Sequence, residues 1–312
     1  LYLAGEYAVV KGEPAILFPT KKTMDLTIKA SETFSFNDNP FTLDEESHTT
    51  LYAPYVKEAI NTAHDYIKQC NGHVKPYTIK TVNHLELKGS PKLGLGTSAI
   101  ITILIIESIC AFHDFNLDNI TLYKLGVIAQ IKNYRHSSFG DLALVATHDW
   151  IYYTSFEESY RPTIVAKGLD SLNMSWPGLT IKKISPLRLP MLIIYTNQAA
   201  SSLALVKNVL KYETLDEFKT FKASSTTHIH GLLNAKTPMT FMTHIEALNN
   251  ALKELARFSK TALWIESMRN IEMIVRNSDG VCKFSGAGGG DSMLAFFETE
   301  AMKEHAKKQL EK

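Results

Sequence analysis

The chain is short of the residues that would staple it, charge it or thread it through a bilayer. Only three cysteines occur among 312 residues. Cys70, Cys110 and Cys282 lie far apart, without a Cys-x-x-Cys pair or a Cys/His cluster, so neither a disulfide framework nor a zinc site is expected and a reducing cytoplasm is the default setting. Charge of one sign is not in excess either: 33 Lys and Arg face 32 Asp and Glu. That balance argues against nucleic acid as a partner and leaves any anionic ligand to be met by local charge. The longest apolar run, 99–112, carries Glu107 and is too short and too polar to span a membrane. No basic stretch followed by an apolar one opens the chain, so no signal peptide is expected, and Leu1 in place of methionine suggests residues upstream. Internal repeats and low-complexity tracts are missing as well.

What is present is enough apolar material, 45% of residues, for two ordinary domains, each with its own core. The chain is expected to open in β structure, with strand pieces at 1–4 and 7–10 around Gly5-Glu6, and 23–30 alternates apolar and polar residues as a half-buried strand does. Helical spacing over 50–70 precedes a strand at 77–82. The isoleucine-rich 99–112 would suit a strand by propensity, but its length and preceding capping residues predict a helix. A second helix is expected over 117–131, a loop over 134–141 and a strand over 150–155. Prolines 177, 186 and 190 suggest a domain boundary near residue 189, followed by a strand at 191–195, helices at 200–210, 215–233, 240–255 and 264–276, and a strand at 293–297. His228 and His230, two apart on a helix, point away from each other and read as surface histidines rather than metal ligands.

Three glycine-bearing stretches stand out: Gly5-Glu6, Gly94-Leu-Gly-Thr-Ser-Ala99 and Ser285-Gly-Ala-Gly-Gly-Gly-Asp291. The middle one runs into the predicted helix with Thr97 or Ser98 placed to cap it, which makes an anion site from unpaired amides and the helix dipole. A plain tight turn is the competing reading. Neither the P-loop nor the dinucleotide-binding fingerprint fits it. The last stretch holds more glycines than one turn needs, which suggests close approach to a ligand.

Taken together these motifs resemble the GHMP kinases, and within that superfamily the phosphomevalonate kinase branch. Leu1-Tyr-Leu-Ala-Gly-Glu-Tyr-Ala-Val9 is similar to the opening motif, Gly94–Ala99 to the ATP loop, and Ser285–Asp291 to the third motif; Trp150–Phe156 and Trp176–Leu179 add agreement. The resemblance implies an α+β two-domain GHMP kinase fold, with a ribosomal S5 domain 2-like N-terminal domain over 1–188 and a ferredoxin-like, helix-rich C-terminal domain over 189–312. It implies an active site in the interdomain cleft, ATP and Mg²⁺ as cofactors, a small phosphorylated acceptor as partner, and a monomer or homodimer. Asp141, in Ser137-Ser-Phe-Gly-Asp141, falls on the catalytic carboxylate. Gly94, Leu95, Gly96, Thr97, Ser98, Ala99 and Ser138 would hold the nucleotide, with Ser98 also near the metal. Gly5, Glu6, Tyr7, Thr196, Ser201, Ser202, Lys283, Ser285, Gly286, Ala287, Gly288 and Gly289 would face the acceptor.

Departures are few. The lysine that relatives carry before the Leu-Tyr pair falls upstream of Leu1; His148-Asp149 stands where Gly-Gly is usual, and Asn197 replaces a glycine. Gln130 occupies a position that is Glu in mevalonate kinases. Two alternatives stay open: another kinase of the superfamily, mevalonate kinase foremost, and a catalytically silent nucleotide-binding protein.

Overall fold

The computed structural model describes residues 1–41, 54–85, 96–134, 137–196, 198 and 200–311. In chain order it contains β1 (Tyr2–Ala4), β2 (Ala15–Leu17), β3 (Met24–Ala30), β4 (Phe34–Phe36), β5 (Asn39–Phe41), α1 (Pro54–Gln69), β6 (Tyr77–Asn83), α2 (Thr97–Phe112), α3 (Asn119–Gln130), α4 (Gly140–Thr147), β7 (Ile151–Thr154), α5 (Arg161–Lys167) and β8 (Thr180–Lys183). Then follow β9 (Met191–Tyr195), α6 (Ser202–Leu210), α7 (Asp216–Asn234), α8 (Pro238–Phe258), α9 (Glu266–Arg276), β10 (Val281–Ser285), β11 (Ser292–Phe296) and α10 (Glu300–Leu310).

The strands form an antiparallel sheet in the order β1-β2-β7-β8, a mixed sheet β3-β6-β4-β5, and an antiparallel sheet β10-β11-β9. The expected division near 189 falls between β8 and β9. One core cluster joins the first two sheets to α1–α4, and a second fills the space between the third sheet and its helices. A third packs Leu3, Ala4, Ile16 and Phe18 against Ile229, Phe241 and Ile245 of α7 and α8 and against Leu294 and Phe296 of β11. Each half thus has a core of its own, and a third cluster is shared between them.

α2 is the central helix. Ile101, Ile103, Ile105, Ile106 and Ile109 are all buried, on several faces of it. A helix that is apolar all round must sit inside other elements, and that burial outweighs the β-branched preference for a strand. α3 begins at an Asp118 cap, whose carboxylate accepts from the amides of Ile120 at 2.9 Å and Thr121 at 3.0 Å. Two sequence expectations fail locally. Residues Ala8–Lys11 form a short 3-10 turn, not a strand, because Tyr7 takes a left-handed φ of 63° that ends the extended run. Leu142–Val145 belongs to α4, which begins inside the expected loop. His228 is half-buried, its Nδ1 lying 3.0 Å from Nδ1 of His244, so it is a packing partner between α7 and α8 as well as a surface residue.

Gly5 marks the tightest backbone contact near the N-terminus. Its φ is +100°, and a Cβ there would lie 2.5 Å from the Cα of Ala15 and 2.6 Å from the carbonyl oxygen of Pro14. Gly5→Ala is expected to lower stability by about 2 to 4 kcal/mol, through overpacking and a disfavoured φ. A urea midpoint equal to that of the parent would contradict this packing.

Candidate functional site

A cleft of about 780 Å³ lies where the first sheet, α2 and α4 face α6 and the β10–β11 turn. Each half presents a helix N-terminus to it. On one side Gly96 precedes α2 in a left-handed conformation with φ +69°, and Thr97 and Ser98 form the first helical turn. They are therefore helical residues and not caps; the Gly96 carbonyl instead accepts from the amides of Ala99 at 2.9 Å and Ile100 at 3.1 Å. On the other side Ser201 and Ser202 open α6, and no side chain caps that end. First-turn amides have no partner within their own helix, and with the helix dipole they make both ends attractive to anions.

Asp141 lies between these ends, on the first turn of α4. The residues before it hold it there. Phe139, fully buried, takes a left-handed φ of 58° that non-glycine residues seldom adopt, and so turns the chain sharply into the helix. Arg161 donates to the carbonyls of Tyr134 at 3.3 Å and Ser137 at 3.1 Å and lies over the Phe139 ring. The Ser138 hydroxyl is 2.9 Å from the Tyr2 hydroxyl, and Tyr153 donates to the Ser138 carbonyl. Asp141 accepts from the Leu142 amide at 3.0 Å, while burial pushes its carboxyl above the ordinary Asp range. A Cβ on Gly96 would be 3.6 Å from Asp141 Oδ2, so the glycine turn and the carboxylate face one another. Gln130 clamps the same helix start, its Nε2 donating to the Ser98 carbonyl at 3.2 Å and to Thr102 Oγ1 at 2.9 Å.

The third wall depends on a buried ion pair. Lys283 is 0% exposed and donates to Glu6 and to the Phe284 carbonyl. Glu6 in turn accepts from the Gly286 amide. Burial pulls the Lys283 ammonium down and the Glu6 carboxyl up, with their mutual attraction opposing both shifts. Ser285 exchanges hydrogen bonds with the backbone of Tyr2, donating to its carbonyl and accepting from its amide, each at 3.0 Å. Tyr7 donates to the Ala287 carbonyl at 2.5 Å.

Of the residues singled out in the sequence, Glu6, Tyr7, Gly96, Thr97, Ser98, Ser138, Asp141, Ser201, Ser202, Ser285, Gly286 and Ala287 line this cleft. The others do not. Lys283 is spent on Glu6, and Ala99 is packed in the core. Thr196 turns the chain beyond β9, its hydroxyl near the carbonyls of Gln198 and Asp291. Gly288 and Gly289 are glycines for the chain's own sake: added Cβ atoms would lie 2.8 Å from the Leu263 carbonyl oxygen and 2.9 Å from Leu205. Only Gly286, with φ +84° and open space beside it, leaves room for a ligand. Gly94 and Leu95, like Asn197, lie outside the described residues. Sequence reasoning passed over Tyr2, Lys22 and Tyr134, whose backgrounds are ordinary strand, turn and loop. Lys22 is the one Lys or Arg lining the cleft among the described residues.

Among the described residues no three His, Cys, Asp or Glu side chains come together as a metal cage. The Ser98 hydroxyl and the Asp141 carboxylate are two of the oxygen donors that line the cleft. That donor set suits a Mg²⁺ ion that arrives on nucleotide phosphates and keeps part of its water, better than a resident ion.

No protein-family model matches the chain. It is 23% identical to the phosphomevalonate kinase of Streptomyces sp. (strain CL190), over 97% of this chain and 89% of that protein. Among solved structures, the Lin0012 protein of Listeria innocua superposes with a TM-score of 0.92 at 23% identity, covering 100% of this chain and 92% of that one. The phosphomevalonate kinase of Streptococcus pneumoniae, in complex with phosphomevalonate and AMPPNP, superposes with a TM-score of 0.86 at 23% identity, covering 100% and 94%. The fold is thus that of the GHMP kinases, α+β, and the full-length similarity is to their phosphomevalonate kinase branch.

The Glu6–Lys283 pair invites a direct test. Lys283→Met is expected to cost about 3 to 5 kcal/mol, since it strands a buried carboxylate, whereas Glu6→Gln with Lys283→Met should recover much of the loss. Equal urea midpoints for the single and double variants would show that the pair is not what makes Lys283 necessary.

Proposed function

We propose that the chain transfers the terminal phosphoryl group of ATP to 5-phosphomevalonate, giving 5-diphosphomevalonate and ADP in the mevalonate route to isoprenoids. The observation that carries this reading is the convergence of two helix N-termini, from α2 and α6, on one cleft that Asp141 also lines. A kinase acting on an unphosphorylated acceptor needs one anion cradle. A second suits an acceptor that already carries a phosphate. The full-length similarity to phosphomevalonate kinase supports the same choice, as does Gln130, whose amide is engaged by Ser98 and Thr102 where mevalonate kinases have a carboxylate.

In this reading the Gly96 turn and the amides of Thr97 and Ser98 hold the triphosphate, and the start of α6 with Ser201 and Ser202 holds the acceptor phosphate. Ser98 would offer its hydroxyl to a Mg²⁺ ion arriving on the nucleotide phosphates, which would supply charge neutralisation at the transferred group. An acceptor phosphate oxygen attacks the γ-phosphorus as its bond to the β–γ bridging oxygen breaks, and ADP leaves. A phosphate monoester has its second pKa near about 6, so much of the acceptor is already dianionic at pH 7. Asp141 orients the attacking oxygen and takes the proton that remains. Ser138, through Tyr2, keeps the Asp141 turn in register with β1. The free cysteines, and the lack among described residues of a helix long and apolar enough to cross a membrane, accord with work in the cytoplasm.

Asp141→Asn should keep ATP affinity and lose about 10² to 10⁴ in kcat. Because burial raises the Asp141 carboxyl, the acid limb of the parent's rate profile should lie above the ordinary Asp range: activity falls as protons are added, and the variant lacks that limb. A folded Asp141→Asn protein with parental kcat would remove Asp141 from the mechanism and favour a silent nucleotide-binding protein.

Acceptor choice separates the two kinase readings. With 5-phosphomevalonate and mevalonate at equal concentration, phosphorus NMR is expected to show product from the former alone, because the second anion cradle is left unpaired by mevalonate, at about 1 to 3 kcal/mol per neutral donor. Preference for mevalonate would establish the rival assignment on the same fold.

A further inference from the structure

A second hollow, of about 580 Å³, lies in the C-terminal half and shares no lining residue with the cleft. The end of α8, the connection after it and α9 enclose it. Lys253 and Arg257 are four residues apart on α8, and Arg269 and Glu272 are three apart on α9, so each pair occupies one face of its helix. An ion pair brings the two faces together: Lys253 Nζ donates to both carboxylate oxygens of Glu272, at 2.6 and 2.7 Å. Thr261, Ala262 and Trp264 of the connection complete the lining.

The charges around the hollow do not cancel. Three cations, Lys253, Arg257 and Arg269, meet one carboxylate. Glu272 is already taken up, for besides Lys253 it accepts from Asn249 Nδ2 at 3.1 Å and from Arg276 Nε at 3.2 Å. Arg269 is exposed and has no hydrogen bond or ion pair among the described residues. Arg257 pairs with Glu254 at 2.7 Å, but both side chains stand mostly in water, at 71% and 60% exposure, where such a pair is weak and readily exchanged. Lys253 has a third N–H beyond the two directed at Glu272, and its ammonium lies 4.9 Å from the centre of the Trp264 ring. The indole Nε1 of Trp264 is buried and has no acceptor among the described residues, an uncommon state for a buried donor. The uncommitted charged and indole groups at the hollow are therefore all donors.

We propose that this hollow binds a small phosphate-bearing anion. A carboxylate offers two oxygens, too few for two guanidinium groups and an ammonium proton, whereas a phosphoryl group offers three strong acceptors and pairs bidentately with arginine. The site does not depend on the reaction assigned to the cleft, but its position bears on the cleft. The Leu263 carbonyl, next to Trp264, accepts from the Gly289 amide at 2.7 Å, and the Trp264 ring lies 5.8 Å from that of Phe284 in β10. An anion held between α8 and α9 steadies this connection and, through Leu263, the glycine turn that closes the cleft.

The test titrates inorganic phosphate, pyrophosphate and AMP by calorimetry into the full chain and into the double variant Arg257→Gln with Arg269→Gln. Both arginines are exposed, so the double variant should fold, and an unchanged thermal midpoint checks it. At least one of the three anions is expected to bind the parent and to lose about tenfold in affinity in the double variant. The tightest of them tells a free phosphate ion from a diphosphate or a phosphate ester as the source. With that anion bound, amide exchange over 285–291 should slow in the parent and not in the double variant. If none of the three binds the parent, or if every one that binds does so within threefold in the double variant, the site is overturned. Binding that leaves exchange over 285–291 unchanged overturns the link to the turn.

Discussion

The structure hangs on one buried interaction between chain positions 277 residues apart, the pairing of Glu6 with Lys283. Neither charge reaches solvent, so each must be satisfied by the other, and this ties the turn after β1 to strand β10. The same Glu6 carboxylate holds the amide of Gly286, and Ser285 next to it is laced to the backbone of Tyr2. A buried ion pair contributes little net stability compared with a well-packed apolar pair, but it is intolerant of misplacement, because either partner alone is a stranded charge. The turn that closes the cleft from the C-terminal side is thereby held in one register against the strand that carries Tyr2, and Tyr2 in turn holds Ser138, three residues before Asp141.

A near-zero net charge is compatible with a site for polyanions because the attraction is made locally and largely from backbone. Two helix N-termini supply amides and dipoles without any lysine, and among described residues Lys22 alone adds a side-chain cation of the Lys or Arg kind to the cleft. In the proposed reading such a site binds phosphate through geometry. Its donors cannot be screened away as a surface lysine patch can, and they are placed only when both halves of the chain are assembled.

Much of the fold was legible in order along the chain. Helical spacing marked α1, α3 and α6–α9, and apolar runs marked β9 and β11, because each of these elements buries one face and leaves the other wet. The misreadings came where local pattern and tertiary setting disagree. A left-handed Tyr7 broke an expected strand, and the helix following Asp141 was hidden because its buried apolar face is short and its start, Phe139, takes a conformation that the residue type does not advertise.

The residue types at the site were set by the sequence alone: an acid after Ser-Phe-Gly, a glycine turn before an apolar helix, a glycine-rich loop near the end. Which of them face a ligand was decided by the tertiary structure. Lys283 looked like a phosphate ligand and is instead consumed by Glu6, whereas Lys22 and His148, unremarkable or anomalous in sequence, line the cleft. Gly288 and Gly289 share composition with Gly286 yet answer to the carbonyl of Leu263 and the side chain of Leu205. Sequence carries the chemical potential of each side chain, but whether that potential is spent inside the protein or offered to a ligand depends on partners contributed from far along the chain, and only packing supplies those.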